Sequence, residues 1–151
     1  MSNFPFKTLL STVLMSLSAV TACATDNTKG GDEPMSRNQS LQGTSWWVED
    51  IGGKGVIDMS HTTIEFIDND SVAGDSGCNR YFGSVEIGDS EIGFGMLAGT
   101  RKACAPALMD QESKFYQAMG KVVSWEIAET GLLYLRDAEA VSLIRASQIE
   151  Q

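Results

Sequence analysis

From residue 41 to residue 149 the chain is built of short apolar runs that alternate with polar positions and stop at turn residues. Residues 45–49, 62–67, 71–73, 81–87, 91–94, 124–128, 132–135 and 141–145 carry the two-residue period or the β-branched and aromatic content of strands. Between them, Asp68-Asn69-Asp70, Gly88-Asp89-Ser90, Glu129-Thr130-Gly131 and Asp137-Ala138-Glu139 have the composition of hairpin turns. Strands this short joined by turns this tight predict an antiparallel meander. The seven glycines from Gly74 to Gly99 exclude a helix there and predict bulges or bends in a strongly curved sheet, with a cracked barrel as its natural shape.

One segment keeps a different period. Over residues 106–119, Leu108, Glu112, Phe115, Met119 and Val122 recur at spacings of three and four, with Met109 and Tyr116 beside them. That is an amphipathic helix with one mainly apolar side. Pro106 suits its first turn, Asp110 and Glu112 favour its N-terminal half, and Gly120 follows as a C-terminal cap. Its Met and aromatic side chains suit either plain core packing or the lining of a ligand groove. The fold class expected is α+β: a small curved antiparallel sheet or cracked barrel packed around one helix.

The N-terminal pattern is of another kind. Residues 1–7 hold a single positive charge, Lys7, and residues 8–20 form an apolar stretch including Leu9, Leu10, Val13, Leu14, Met15 and Leu17. A transmembrane helix needs about 20 apolar residues, so the stretch fits a processed signal better than a span. Val20-Thr21-Ala22-Cys23 has the form of a lipobox, in which the cysteine becomes the lipidated N-terminus; an ordinary signal cut near Ala22 or Ala24 is the alternative. Residues 1–22 are therefore expected to be a lipoprotein signal peptide and Cys23 the lipidation site. Residue 24 is Ala rather than Asp, which by resemblance to Gram-negative lipoprotein sorting points to the outer membrane, facing the periplasm. Residues 24–40 have Met35 as their only large apolar side chain and cannot bury a core. They are expected to be a flexible tether of roughly 20 to 25 Å mean span, with one domain over residues 41–151.

Charge narrows the partners. At 151 residues, 42% hydrophobic and 21% charged, the chain has the composition of a single globular domain. The formal charge is −9, and removing Lys7 with the signal leaves −10. Its longest basic run is Arg101-Lys102, so nucleic acid is not an expected partner. Anionic headgroups are not expected to attract such a surface, and membrane contact is expected through the N-terminal lipid.

Candidate chemistry is sparse. With Cys23 assigned to the lipid, Cys78 and Cys104 remain as an even pair in an oxidising compartment, expected to form a disulfide. A reactive thiol at Cys104, activated by Arg101 and Lys102, and two unpaired buried cysteines are the alternatives. His61 is the only histidine, and nothing around it suggests a nucleophilic site. Asp68, Asn69, Asp70 and Asp75 lack the spacing of a calcium loop, since Val72 and Ala73 stand where an oxygen ligand and a glycine would be needed. Glu49, Asp50 and Glu86 could pair as acid and base only if the fold brought them together, and Gly93-x-Gly95 lacks the rest of a dinucleotide fingerprint. No metal and no cofactor is expected. Asn79 and Arg80, with Arg101, form the candidate polar patch, although Asn79 in a glycine-rich bend also suits holding backbone groups. On a strand, Trp46 and Trp47 would face opposite ways, leaving at most one in the core.

The same residues carry a family resemblance. Leu41-x-Gly43-Thr44-x-Trp46, Thr63-Ile64-x-Phe66 and Gly74-x-Ser76-Gly77-Cys78-Asn79-Arg80-Tyr81-x-Gly83 resemble the META domain family, which includes HslJ-like heat-shock lipoproteins. Downstream, Leu97-Ala98-x-Thr100-Arg101-Lys102-Ala103-Cys104, Glu112 to Phe115 and Leu132-Leu133-Tyr134-Leu135 fall in the family's order. The resemblance implies a curved antiparallel sheet around a helix, an association with heat-shock or envelope stress and antibiotic tolerance, and no catalytic residues. The expectation is thus a non-enzymatic envelope lipoprotein, a stress-related binding or protective module whose partner is an envelope protein or a small ligand. The alternative is a periplasmic inhibitor that blocks an envelope hydrolase through a hairpin loop.

Overall fold

The computed structural model describes residues 40–150, so the signal peptide, Cys23 and nearly all of the tether expected from the sequence lie outside the described residues. The strands are β1 (Thr44–Ile51), β2 (Lys54–Gly55), β3 (Thr63–Phe66), β4 (Ser71–Asp75), β5 (Arg80–Ile87), β6 (Ile92–Gly99), β7 (Ser124–Ile127), β8 (Leu133–Arg136) and β9 (Ser142–Gln148). A single helix, α1 (Pro106–Met119), separates β6 from β7.

All pairings are antiparallel, and the sheet order is β6-β5-β4-β3-β1-β9-β8-β7, with β2 paired to β1. This corrects the simple meander. Two meanders, β3 to β6 and β7 to β9, flank β1, the first strand, which pairs with β3 on one side and with the last strand, β9, on the other and so ties the ends of the domain together. The two outermost strands approach each other at one end only. There Ile92 N–H donates to Val123 O at 3.1 Å, Trp125 N–H donates to Ser90 O at 2.9 Å, and Glu91 bridges Ser124. The sheet is therefore a cracked barrel, as its glycines led one to expect.

Alternation with two corrections explains which side chains enter the core. In β1, Trp46 and Val48 point inward while Trp47 is 39% exposed. A register shift between Val48 and Asp50 then turns Ile51, three residues on, back to the inside. Between β5 and β6 a second shift does the same, so that Phe94 and Leu97 both reach the core despite their odd spacing. In β8 and β9 Leu133, Leu135, Ile144 and Ala146 alternate and are all fully buried, and the register shifts only past them, between Leu135 and Arg136.

The helix starts at Pro106 and ends at Met119, with Gly120 following in right-handed geometry and donating its N–H to Tyr116 O. Phe115, Ala118 and Met119 are buried against the sheet, and the Phe115 ring lies 5.4 Å from that of Tyr81. Leu108 and Glu112 are only half-buried and Met109 is exposed, so the apolar stripe is narrower than the spacing implied. Gln111 takes a buried place instead. Among the described residues no helix is long and apolar enough to cross a membrane.

Candidate functional site

The densest polar cluster lies where the β4–β5 turn meets the helix and the segment leading into it. Ser76, 0% exposed, closes that turn: its N–H and its hydroxyl both donate to Asn79 O, at 2.8 and 2.7 Å. Gly77 beside it has φ +95, and a Cβ there would stand 2.9 Å from Gln111 Nε2 and 3.0 Å from Thr62 Oγ1, so only glycine fits against the helix.

Asn79 is at the centre, buried and fully engaged. Its Oδ1 accepts from Lys102 N–H at 2.7 Å and from the Thr100 hydroxyl at 2.9 Å. Its Nδ2 donates to Glu112, with Oε2 at 3.0 Å and Oε1 at 3.2 Å, and lies 3.3 Å from Cys78 Sγ. One amide thus joins the turn, the approach to the helix and the helix itself. A charged acceptor makes the Glu112 bond the strongest of the set. The disulfide between Cys78 and Cys104 fastens the same two segments covalently, across a sequence separation of 26 and a Cα–Cα distance of 6.0 Å. A reactive Cys104 thiol and unpaired buried cysteines are both set aside by this bond.

A second polar clamp sits on the other side of Gly77. Gln111 Nε2 donates to Ser60 Oγ at 3.0 Å and to Thr62 Oγ1 at 3.1 Å, while its Oε1 accepts from Ile57 N–H at 2.6 Å. The loop between β2 and β3 is thereby tied to the helix. Sequence reasoning passed over Gln111, although a glutamine four residues before Phe115, on the side of the helix that packs inward, is itself a signal.

Two tyrosines complete the surroundings. Tyr81 donates its hydroxyl to Thr63 O at 3.0 Å, and burial holds its pKa well above the usual phenol value. The Tyr116 hydroxyl is buried without a hydrogen-bond partner among the described residues, against Gly99, whose Cβ would stand 2.8 Å from it. Burial raises its pKa also.

Of the candidate polar patch, Asn79 turns inward while Arg80 and Arg101 are exposed on the surface, so the three do not form one recognition surface. His61 is exposed and lies against Trp47, ring centroids 5.4 Å apart. Asp68 Oδ1 accepts from Asp70 N–H at 2.9 Å, a turn closed on itself, and the backbone bonds to Asp68 lower its pKa. Glu49 faces Arg145 at 3.5 Å. Gly93 and Gly95 lie within β6. Among the described residues no group of three or more His, Cys, Asp and Glu side chains is placed to hold a metal ion.

Comparison with known proteins places this geometry. No curated protein matches the chain significantly. Two solved structures share the fold: an NMR structure of a protein from Burkholderia xenovorans, 23% identical over 74% of this chain and 85% of its own with a TM-score of 0.58, and a second NMR structure, 24% identical over 71% and 90% with a TM-score of 0.54. The META domain family model matches residues 39–149, the whole of the clamped barrel and its helix. The chain belongs to the META domain family.

Proposed function

We propose that this META-domain chain is a non-enzymatic envelope lipoprotein, anchored through Cys23 at the outer membrane and acting in the periplasm as a stress-related binding or protective module. The observation that supports it best is how the reactive side chains are used. Asn79, Gln111 and Ser76 are taken up by internal hydrogen bonds, Glu112 accepts from Asn79, and Cys78 and Cys104 are bonded to each other. Residues arranged in this way resist unfolding, and the side-chain N–H and O–H donors of Asn79, Gln111 and Ser76 are all spent within the fold. A domain that must keep its shape outside the cytoplasm, where a disulfide persists, fits a protective or binding role.

The anchor is tested by labelling cells with radioactive palmitate and fractionating them. The wild-type chain takes up label and sediments with outer membranes, because several acyl chains on one residue hold it at about 0.8 kcal/mol per buried CH₂. The Cys23→Ser chain takes up none. Equal labelling of both, or an unlabelled soluble wild type, contradicts the proposal. Crosslinking in intact cells then separates the two roles: capture of an envelope hydrolase through the Asp68–Asp70 turn would favour the inhibitor instead.

A further inference from the structure

We propose that the groove between the β1–β2 turn and helix α1 is a binding site for an anionic amphiphile, a single acyl chain ending in a phosphate or carboxylate. The proposal deepens the reading of the domain as a binding module by naming its ligand class.

The groove runs between the helix and the β1–β2 turn in two adjoining depressions. One, of about 290 Å³, is lined by Ile51, Gly52, Lys54, Leu143 and the helix-side residues Lys114, Gln117, Ala118 and Lys121. The other, of about 200 Å³, shares Ile51, Lys54 and Lys114 and continues past Val56 and Ile57 to Asp110, the one carboxylate that lines the groove. Lys114 and Ala118 stand four residues apart on one side of the helix, and Lys121 follows in the turn after Gly120, where its N–H donates to Ala118 O. Their partner wall comes from β1 and β9, where Gly52 N–H donates to Leu143 O at 2.8 Å and fixes the turn.

Charge selects the ligand. The chain carries 20 acidic and 11 basic residues, yet three lysines line the larger depression and no Asp or Glu does. Lys54 and Lys121 form no ion pair among the described residues, whereas Lys114 is paired with Asp110 one helical turn away. A concentration of ammonium groups on an otherwise acidic surface focuses anions to that place. The walls between the lysines are mainly apolar, through Ile51, Ala118 and Leu143. The buried amide of Gln111, which borders the second depression, is already bound to Ser60, Thr62 and Ile57. An extended acidic peptide would need backbone partners to fix its register, whereas an acyl chain needs apolar walls and its head group needs the lysines.

The test uses the full-length chain carrying Cys23→Ser, so that the anchor's own acyl groups do not compete, titrated by NMR below the critical micelle concentration. Dodecyl phosphate should bind saturably and shift the amides of residues 51–54, 114–121 and 143. Replacing Lys54 and Lys121 together by Gln should weaken it by about twenty-fivefold, since each lysine near an anionic head contributes about fivefold. Asp110→Asn, which frees Lys114, should tighten it. Dodecyltrimethylammonium should not compete, and inorganic phosphate alone should bind far more weakly. Equal binding of the cationic amphiphile, phosphate binding as tight as dodecyl phosphate, tighter binding of an acidic peptide, or shifts elsewhere on the domain would each overturn the site. Because the titration uses unlipidated chain, its failure leaves the anchor untouched, and loss of palmitate labelling leaves the groove untouched.

Discussion

The two wings of the sheet on either side of β1 are held together by different means. From β7 to β9 the register shifts only at Arg136, the core positions Leu133, Leu135, Ile144 and Ala146 alternate and are fully buried, and burial of apolar surface suffices. From β4 to β6 the chain is rich in glycine, which adds little burial and loses much freedom on folding. Gly83 shows why glycine is nonetheless required: a Cβ there would lie 2.6 Å from both Met96 O and Leu97 Cδ2. A wing that bends through glycines must be held from outside its own strands. Here the disulfide, Asn79 and Gln111 do so, each joining a loop to the helix or its approach. The Gly77-Cys78-Asn79 and Thr100-Arg101 to Cys104 segments, which carry part of the family resemblance, fall on the wing that the hydrophobic effect serves least.

The largest expected effect follows from the covalent fastener. Replacing Cys78 and Cys104 together by Ser should destabilise the domain by about 3 to 4 kcal/mol through the entropy regained by the unfolded loop, lowering Tm by about 10 to 20 °C. Leu135→Ala, in the other wing, should cost about 2 to 5 kcal/mol through its cavity. The difference to look for is reducing agent, which should lower the melting point of wild type and of Leu135→Ala but leave the double serine variant unchanged. Equal sensitivity of all three would erase the contrast between the wings.

Asn79→Ala should come next, at about 2 to 3 kcal/mol, because it strands the half-buried Glu112 carboxylate and the Lys102 N–H. Asn79→Asp sharpens the point. Two carboxylates would then face each other, so the variant's deficit should be largest near neutral pH and shrink as acid protonates one of them. A deficit that does not change with pH, followed by chemical denaturation, would mean that Glu112 is not the partner.

A smaller, pH-dependent effect comes from Tyr81. Its folded pKa lies above the unfolded value, so its contribution is fully present below about pH 10 and falls by about 1.4 kcal/mol per pH unit above it, until the folded pKa is passed. Tyr81→Phe should remove that share of the alkaline slope, leaving the part due to Tyr116, while costing the bond to Thr63 O at every pH. The smallest effect should be Tyr116→Phe, which deletes a hydroxyl without a partner and should change stability by less than about 1 kcal/mol, in either direction. A large loss would reveal a partner for that hydroxyl.

Legibility in the sequence divides along the same line. The helix could be read at both ends, because Pro106 opens it and Gly120 stands directly after its last residue. Trp46 inward and Trp47 outward follow from alternation alone. By contrast β6 runs on to Gly99, past the expected end at Phe94, because Gly93 and Gly95 remove the side chains that would reveal a period. The two-residue β2 has no apolar residue to mark it. The place of β1 between β3 and β9 could not be read either, since strand order depends on contacts between distant segments. Gln111 and the lysine-lined groove were missed for that reason as well: Ser60 lies 51 residues from Gln111, and Lys54 meets Lys114 only once the barrel has closed.

Hydrogen exchange of the oxidised and the reduced protein, resolved amide by amide, tests most directly whether the clamps act on one wing. On reduction, amides of β5, β6 and residues 100–105 should lose protection by several orders of magnitude, while those of β8 and β9 keep most of theirs. Uniform loss across both wings, or none in β5 and β6, would contradict the division of labour described above.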